Sequence, residues 1–406
     1  MRFLFYSHDG FGLGHTRRNL AIAAALTELD QDASILLATG TDDVNRLGVP
    51  PHVEVLKLPG LSKVANDDYA ARRLPISTSD IRKLRSALLT AAVQSFRPNV
   101  MLVDKHPLGA SGELRSALEE LRAADGRAAL GLRDVLDDRV TILCEWGRHN
   151  LQTRIADYHD RVLVYGQQAI FDPITEYDFP ASVAEQTLFC GYVVTRPGRK
   201  EDDDDQPSLF PIGPRTRPVV LATTGGGEDG FTLLETFIRA ASEAPWDGIV
   251  VAGPLAPESR RRTLRRLAAE AGIAFHTFVP GLDGQFGLAD ALVCKGGYNT
   301  LVEAVASGIP TVCVPRISPR REQFIRTQAF ARLGLVRMVE PEQLEVDRLR
   351  MEVDAALQSS RQKIIERAST VLHFDGAQRS AAHLLELAET PRRTAVVQVA
   401  ATRWQK

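Results

Sequence analysis

Four short clusters hold the residues best suited to chemistry. The first is Gly12-x-Gly14-His15, with Arg17 close behind. The second is Gly225-Gly226-Gly227, followed by Glu228 and Asp229. The third is Gly296-Gly297-Tyr298-Asn299-Thr300, with Glu303 one helical turn further on. The fourth runs from Pro315 through Arg316, Arg320 and Arg321 to Glu322-Gln323. Glycines let a backbone approach a ligand closely or take a positive φ without a Cβ penalty. A helix that follows such a turn, with Asn299 or Thr300 as its cap, presents free amides and the positive end of its dipole to an anion. A carboxylate one turn in then suits a ribose hydroxyl, so the third cluster fits a nucleotide diphosphate. It fits an ordinary βαβ unit with a glycine-rich turn equally well. An imidazole suits proton abstraction at neutral pH, which makes His15 a candidate base; a histidine that only caps or packs a helix start is the alternative.

These residues need parallel strands to carry them. Residues 291–294 read as a strand and 298–307 as a helix stopped by Gly308-Ile309-Pro310, with a second strand over 311–314. Residues 2–7 form an apolar strand before the first glycine loop, and a helix follows to about Leu29. That loop lacks the third glycine of a dinucleotide fingerprint, which argues against an NAD site. Strands at 53–58, 100–103, 128–132, 161–165 and 187–190 alternate with helices at 80–96, 111–124 and 138–156. Asp104, His106 and the pair Arg133-Asp134 follow the carboxyl ends of two of these strands, where open α/β sheets bind ligands. They are candidates for acceptor contacts, against loops that merely cap the next helix. The polar stretch 62–79 reads as an acceptor-side flap or a surface loop. Residues 219–223 form a strand that opens into the three-glycine loop, a second phosphate-type turn. In the basic segment 257–270, arginines alternate with Leu264 and Leu267 at helical spacing, the pattern of a solvated face.

At 406 residues the chain can fold two α/β domains with cores of their own. A net charge of −2 gives no support for a nucleic-acid partner. Cys144, Cys190, Cys294 and Cys313 form no C-x-x-C pair, and three of them lie in apolar runs as buried thiols. With no leader-like start and no apolar run long enough to span a bilayer, a cytoplasmic location is expected; peripheral membrane contact through a local patch stays open. Residues 196–217, rich in proline and charge and including Asp202–Asp205, read as a flexible linker rather than a metal site. The expected plan is therefore an N-terminal domain over 1–195, the linker, a C-terminal domain over 218–390, and a tail over 391–406.

GGYNTLVEAVASGIPTVCVPR followed by REQ resembles the donor-binding segment of nucleotide-sugar glycosyltransferases of the GT-B fold, above all the family of the lipid II-forming N-acetylglucosaminyltransferase. The resemblance implies two Rossmann-like, doubly wound α/β domains facing each other across a cleft. It puts the donor pyrophosphate on Gly296, Gly297, Asn299 and Thr300, the ribose on Glu303, and the sugar hydroxyls on Glu322 and Gln323. Gly225, Gly226 and Gly227 would meet the donor phosphates, with help from Arg316 or Arg321. Gly12, Gly14, His15, Arg17 and Arg18 resemble the first loop of GT-B transferases and of a related nucleotide-sugar hydrolase, in which the histidine acts on the acceptor hydroxyl or on water. The implied function is metal-independent hexosyl transfer from a UDP-sugar, UDP-N-acetylglucosamine or a close hexose, to a small-molecule or glycoconjugate acceptor. The sugar nucleotide is a co-substrate and no cofactor is expected. A hydrolase or epimerase on the same fold, or a non-catalytic sugar-nucleotide-binding protein, remains as the alternative.

Overall fold

In the computed structural model, residues 1–7, 14–42, 44–65, 68–195, 209–210 and 215–390 are described. The Gly12 position, Asp202–Asp205 and the tail 391–406 lie outside them. The first half builds β1 (Arg2–Ser7), β2 (Ser34–Thr39), β3 (Val53–Lys57), β4 (Leu61–Ala65), β5 (Asp68–Ala71), β6 (Val100–Asp104), β7 (Arg127–Arg133), β8 (Arg161–Tyr165) and β9 (Thr187–Phe189). Seven of these form one parallel sheet in the order β3-β2-β1-β6-β7-β8-β9. The second half builds β10 (Val219–Thr223), β11 (Asp247–Val251), β12 (Ala274–His276), β13 (Ala291–Cys294), β14 (Thr311–Cys313) and β15 (Arg337–Met338). They form a second parallel sheet, β12-β11-β10-β13-β14-β15. Each sheet turns outward from its first strand, and the switch point of the second, between β10 and β13, falls beside the glycine turn that follows β10.

Side chains alternate between sheet faces, so each strand feeds two cores. Leu4 and Tyr6 join an apolar cluster confined to the first domain, while Phe3 and Phe5 face the other way. Val220 and Ala222 lie in a cluster of the second domain, but Leu221 joins the one that holds Phe3 and Phe5. That shared cluster runs through the seam by way of Tyr192, Tyr298 and Phe330. The helix Gly376–Glu389 leaves the second domain and packs on the helix Gly14–Leu29 and on β6 and β7.

Several elements differ from the sequence reading. The stretch 62–79 contains a β4–β5 antiparallel hairpin rather than a loop. The helix expected over 138–156 is two, Arg139–His149 and Leu151–Tyr158, because Asn150 takes a left-handed conformation at φ 50°. A helix over Arg361–Val371 has no counterpart in that reading. Within the linker range, Leu209 and Phe210 dock on the second domain, the Leu209 amide donating to Gln285 Oε1 at 3.1 Å, so these two residues are not a free tether.

Candidate functional site

The donor-side residues gather where β10, β13 and β14 end. After β13, Gly296 has φ 72°, and a Cβ there would stand 2.1 Å from Thr327 Oγ1. Gly297 is the helix cap in place of Asn299 or Thr300, with no side-chain capping bond, and a Cβ on it would meet nothing within 4 Å. The start of the helix Tyr298–Ala306 is therefore bare backbone beside open space, as an anion cradle requires. Thr300 reaches the second glycine turn, its Oγ1 3.9 Å from a Cβ built on Gly225. Gly225 and Gly227 take φ 66° and 89°, and a Cβ on Gly227 would lie 2.2 Å from the Ala252 carbonyl. Only glycine allows that approach, and Gly226 stands between the two. Lys295 Nζ and Arg316 Nη1 converge on Asp229 Oδ2 at 2.7 and 3.3 Å. Both cations thus stand beside the two turns, their charge shared with Asp229 and, for Arg316, with Glu322.

Glu303 is 7% exposed and sits one turn into the helix, as its spacing predicts. Its carboxylate accepts from Arg17 Nη2 at 2.9 Å, and Arg17 also pairs with Asp283 at 2.7 Å. Burial pushes the Glu303 carboxyl up to about 7, against the opposing pull of Arg17 and of bonds from Thr195. Glu322 begins the helix Glu322–Arg332. Its Oε1 accepts from Arg316 Nη2 at 2.5 Å, while its Oε2 is buried without a hydrogen bond. Gln323 Oε1 accepts from the Arg316 amide at 3.1 Å. Arg321 departs from expectation: it is exposed, and its guanidinium lies over the Phe324 ring instead of beside Arg316.

On the facing domain, His15 Nδ1 lies 3.1 Å from Asp104 Oδ2. Arg18 Nη2 grips Asp104 at 2.7 and 3.0 Å and also approaches His15 Nδ1 at 3.0 Å. Burial alone would raise the Asp104 carboxyl, but Arg18 and His15 hold it well below the usual carboxylate range. Asp104 is thus a fixed anion. The tautomer with its proton on Nδ1 donates to Asp104 and leaves Nε2 as the ring's acceptor nitrogen. Arg18, whose N–H groups can only donate, then serves Asp104 and not the ring, the arrangement of a base held by an orienting carboxylate. Gly14 opens the helix, and its carbonyl accepts from Asn299 Nδ2 at 3.2 Å. Arg17 crosses to the donor side instead of facing an acceptor, because Glu303 and Asp283 together outbid solvent for its charge. His106 packs edge-on against Tyr69 of the hairpin, with ring centroids 6.4 Å apart. Arg133 ends β7 with its Nε buried and unbonded.

The seam is fastened by ion pairs that the sequence reading did not match up. Arg326 holds Asp134 with bonds of 2.7 to 3.0 Å, and Arg320 holds Asp137 and Glu145 at 3.2 and 2.7 Å. The Tyr298 ring lies between the guanidiniums of Arg18 and Arg326, each 5.4 Å from its centre. Arg18 and Asp134 stood within candidate clusters of the sequence, the first glycine loop and the end of a strand, but without their partners; Arg326 carried no signal. Among the described residues, no group of three or more His, Cys, Asp or Glu could hold a metal ion.

Residues 253–384 match the glycosyltransferase family 28 C-terminal domain. A UDP-N-acetylglucosamine--N-acetylmuramyl-(pentapeptide) pyrophosphoryl-undecaprenol N-acetylglucosamine transferase from Corynebacterium efficiens is 30% identical over 137 residues, 34% of this chain and 36% of the relative. Its counterpart from Salmonella arizonae is 23% identical over 179 residues, 43% of this chain and 50% of the relative. The chain thus spans half or less of the length of these curated relatives. MurG from Acinetobacter baumannii superposes with a TM-score of 0.59 at 14% identity, covering 95% of this chain and 100% of that one. The glycosyltransferase VinC, solved with dTDP, gives 0.62 at 17% identity, covering 96% and 100%. The chain has the GT-B fold, two Rossmann-like domains across a seam, and its second domain resembles the C-terminal domain of family 28 glycosyltransferases.

Proposed function

We propose that this protein transfers a hexosyl or N-acetylhexosaminyl group from a UDP-sugar to an acceptor hydroxyl or amine. The reading is carried by one observation: two glycine turns and a bare helix start face, across the seam, a histidine braced by a buried carboxylate. Pyrophosphate would lie on Gly225–Gly227 and Gly296–Thr300, with Lys295 and Arg316 meeting the charge that develops on the leaving diphosphate. Ribose would bond Glu303, and the sugar would reach Glu322 and Gln323. His15 would take the acceptor proton, with Asp104 stabilising the imidazolium that forms. Glu303 is engaged by Arg17, and Asn299 by Gly14, so the two domains must part before a donor can bind and reclose around it. The helix termini and cations supply the charge stabilisation that a divalent ion supplies elsewhere, so transfer is expected to survive chelation.

The acceptor is proposed to be a small molecule or glycoconjugate, as the relatives' names suggest for their own substrates. Leu74, Ile76 and Leu84 are 46%, 41% and 41% exposed, beside exposed Arg72, Arg82 and Lys83. This patch supports peripheral contact with an anionic membrane face; among the described residues no helix is long and apolar enough to cross one. Calorimetric titration with UDP, dTDP and UDP-sugars tests the central reading. Saturable UDP binding, with UDP released from a UDP-sugar faster in the presence of an acceptor extract, is the expected result. Absence of uridine-nucleotide binding overturns it.

A further inference from the structure

Arg133 and Glu322 lie on opposite domains at the ends of one rigid clamp. Arg133 ends β7, whose register with β6 sets Gly131 opposite Asp104, so Arg133 stands at the same sheet edge as the His15–Asp104 pair. Its chain neighbour Asp134 is gripped by Arg326, and Arg326 is one turn beyond Glu322 on the same helix. That buried bond fixes the spacing between Arg133 and Glu322. The two do not bond each other, although Glu322 exerts the strongest charge effect on Arg133.

Both are left unsatisfied. Glu322 Oε2 and Arg133 Nε are each buried with no hydrogen-bond partner, and Arg133 forms no ion pair among the described residues. The neighbouring arginines also leave a buried Nε unbonded at Arg18 and Arg316, but each has its charge paired: Arg18 by Asp104, Arg326 by Asp134, and Arg316 by Glu322 and Asp229. That leaves Arg133 as the cation of this group without an ion pair among the described residues. Buried polar groups left open in this way call for a partner. An orphan acceptor and an orphan donor held on the two sides of the Asp134–Arg326 bond define it, because an anion drawn to Arg133 would be repelled by the Glu322 carboxylate that already acts on that guanidinium. A hydroxyl satisfies both.

We propose that the donor's sugar is read by both domains at once, one hydroxyl lying between Glu322 and Arg133. The hydroxyl donates its proton to Glu322 Oε2, and the Arg133 guanidinium donates to its oxygen. This rests on the reading of the cleft as a UDP-sugar site and makes Arg133 a specificity residue of that site. Because the two halves of the contact belong to different domains, only the closed cleft recognises the sugar, whereas UDP alone needs the second domain only. A site that hydrogen-bonds a hydroxyl rejects analogues that misplace it far more strongly than an apolar one does.

The test is calorimetric titration of the full chain with UDP, UDP-glucose, UDP-galactose and UDP-N-acetylglucosamine. The wild type is expected to bind one UDP-hexose tighter than UDP and to separate glucose from galactose. Arg133→Met should leave UDP affinity within about twofold and reduce that hexose preference about tenfold or more. Should Arg133→Met fail to fold, Arg133→Lys reads the same ratio, since a single ammonium cannot reproduce the guanidinium geometry. Combined with Glu322→Gln, the effects should be strongly non-additive. An unchanged hexose-to-UDP ratio overturns the proposal, as does equal loss of UDP and UDP-hexose, which would make Arg133 a phosphate contact. Failure of the wild type to bind UDP would instead sink the functional reading and this inference with it.

Discussion

At the scale of single residues, charge placement decides what each group can do. His15 is braced by Asp104, which Arg18 keeps ionised, so His15→Ala should lower turnover by about 10²–10⁴-fold and leave UDP affinity unchanged. Unchanged turnover would remove the base assignment. Glu303 gives a pH signature. Its carboxyl is pushed up to about 7 in the folded chain, above its usual value of 4.5. The native state therefore holds a proton that the unfolded chain releases first. The stability this contributes is complete below the usual value and is lost as pH rises through about 7, at most about 3 kcal/mol. Urea midpoints at pH 5 and 7.5 should show the loss in the wild type and a smaller one in Glu303→Gln. UDP affinity should move the other way, rising through pH 7 as Glu303 loses its proton and, once the domains have parted from Arg17, can accept from ribose hydroxyls with both oxygens.

At the scale of elements, adjacent glycines carry different duties. A methyl on Gly296 would collide with Thr327 in a backbone of positive φ, so Gly296→Ala should cost about 1–3 kcal/mol of stability. A methyl on Gly297 meets open space at φ −61°. Gly297→Ala should keep stability within about 1 kcal/mol, because only a cap is altered. It should still weaken UDP binding about tenfold, since the methyl fills the face a phosphate must approach. Chemical denaturation beside calorimetric titration separates the two outcomes. The basic helix Glu258–Glu270 behaves as its pattern indicates, with Leu264 buried and Arg261 and Arg266 paired to glutamates on its own surface.

At the scale of the molecule, buried ion pairs join the two domains. Arg326→Ala would strand the buried Asp134 carboxylate and should cost about 3–5 kcal/mol. Scanning calorimetry should then show the single transition broadening or splitting as the domains uncouple. Arg266→Ala, which removes an exposed pair within one helix, should change stability by no more than about 0.5 kcal/mol. The returning helix Gly376–Glu389 adds a second tie: Arg161 pairs with Glu386 at 2.8 Å and the Arg127 guanidinium donates to the Thr390 carbonyl at 3.1 Å.

The sequence alone determined the strands of the two parallel sheets, the glycine turns and the carboxylate one turn past them, though not the β4–β5 hairpin. Those are local matters, set by side-chain period, by the absence of a Cβ and by helical spacing. It also supplied His15 and Asp104 as separate candidates, because both follow strand ends. Only the tertiary structure decided which candidates meet. Asp104 is 89 residues from His15, and the bond between them follows from β1 and β6 being neighbours in the sheet. Arg17 pairs with Glu303, 286 positions away, and Arg326 with Asp134, 192 positions away. No periodicity encodes such pairings, since they depend on how two separately folded sheets are turned toward one another. The same holds for Arg133 and Glu322, whose unmet hydrogen bonds exist only because the seam is closed around them.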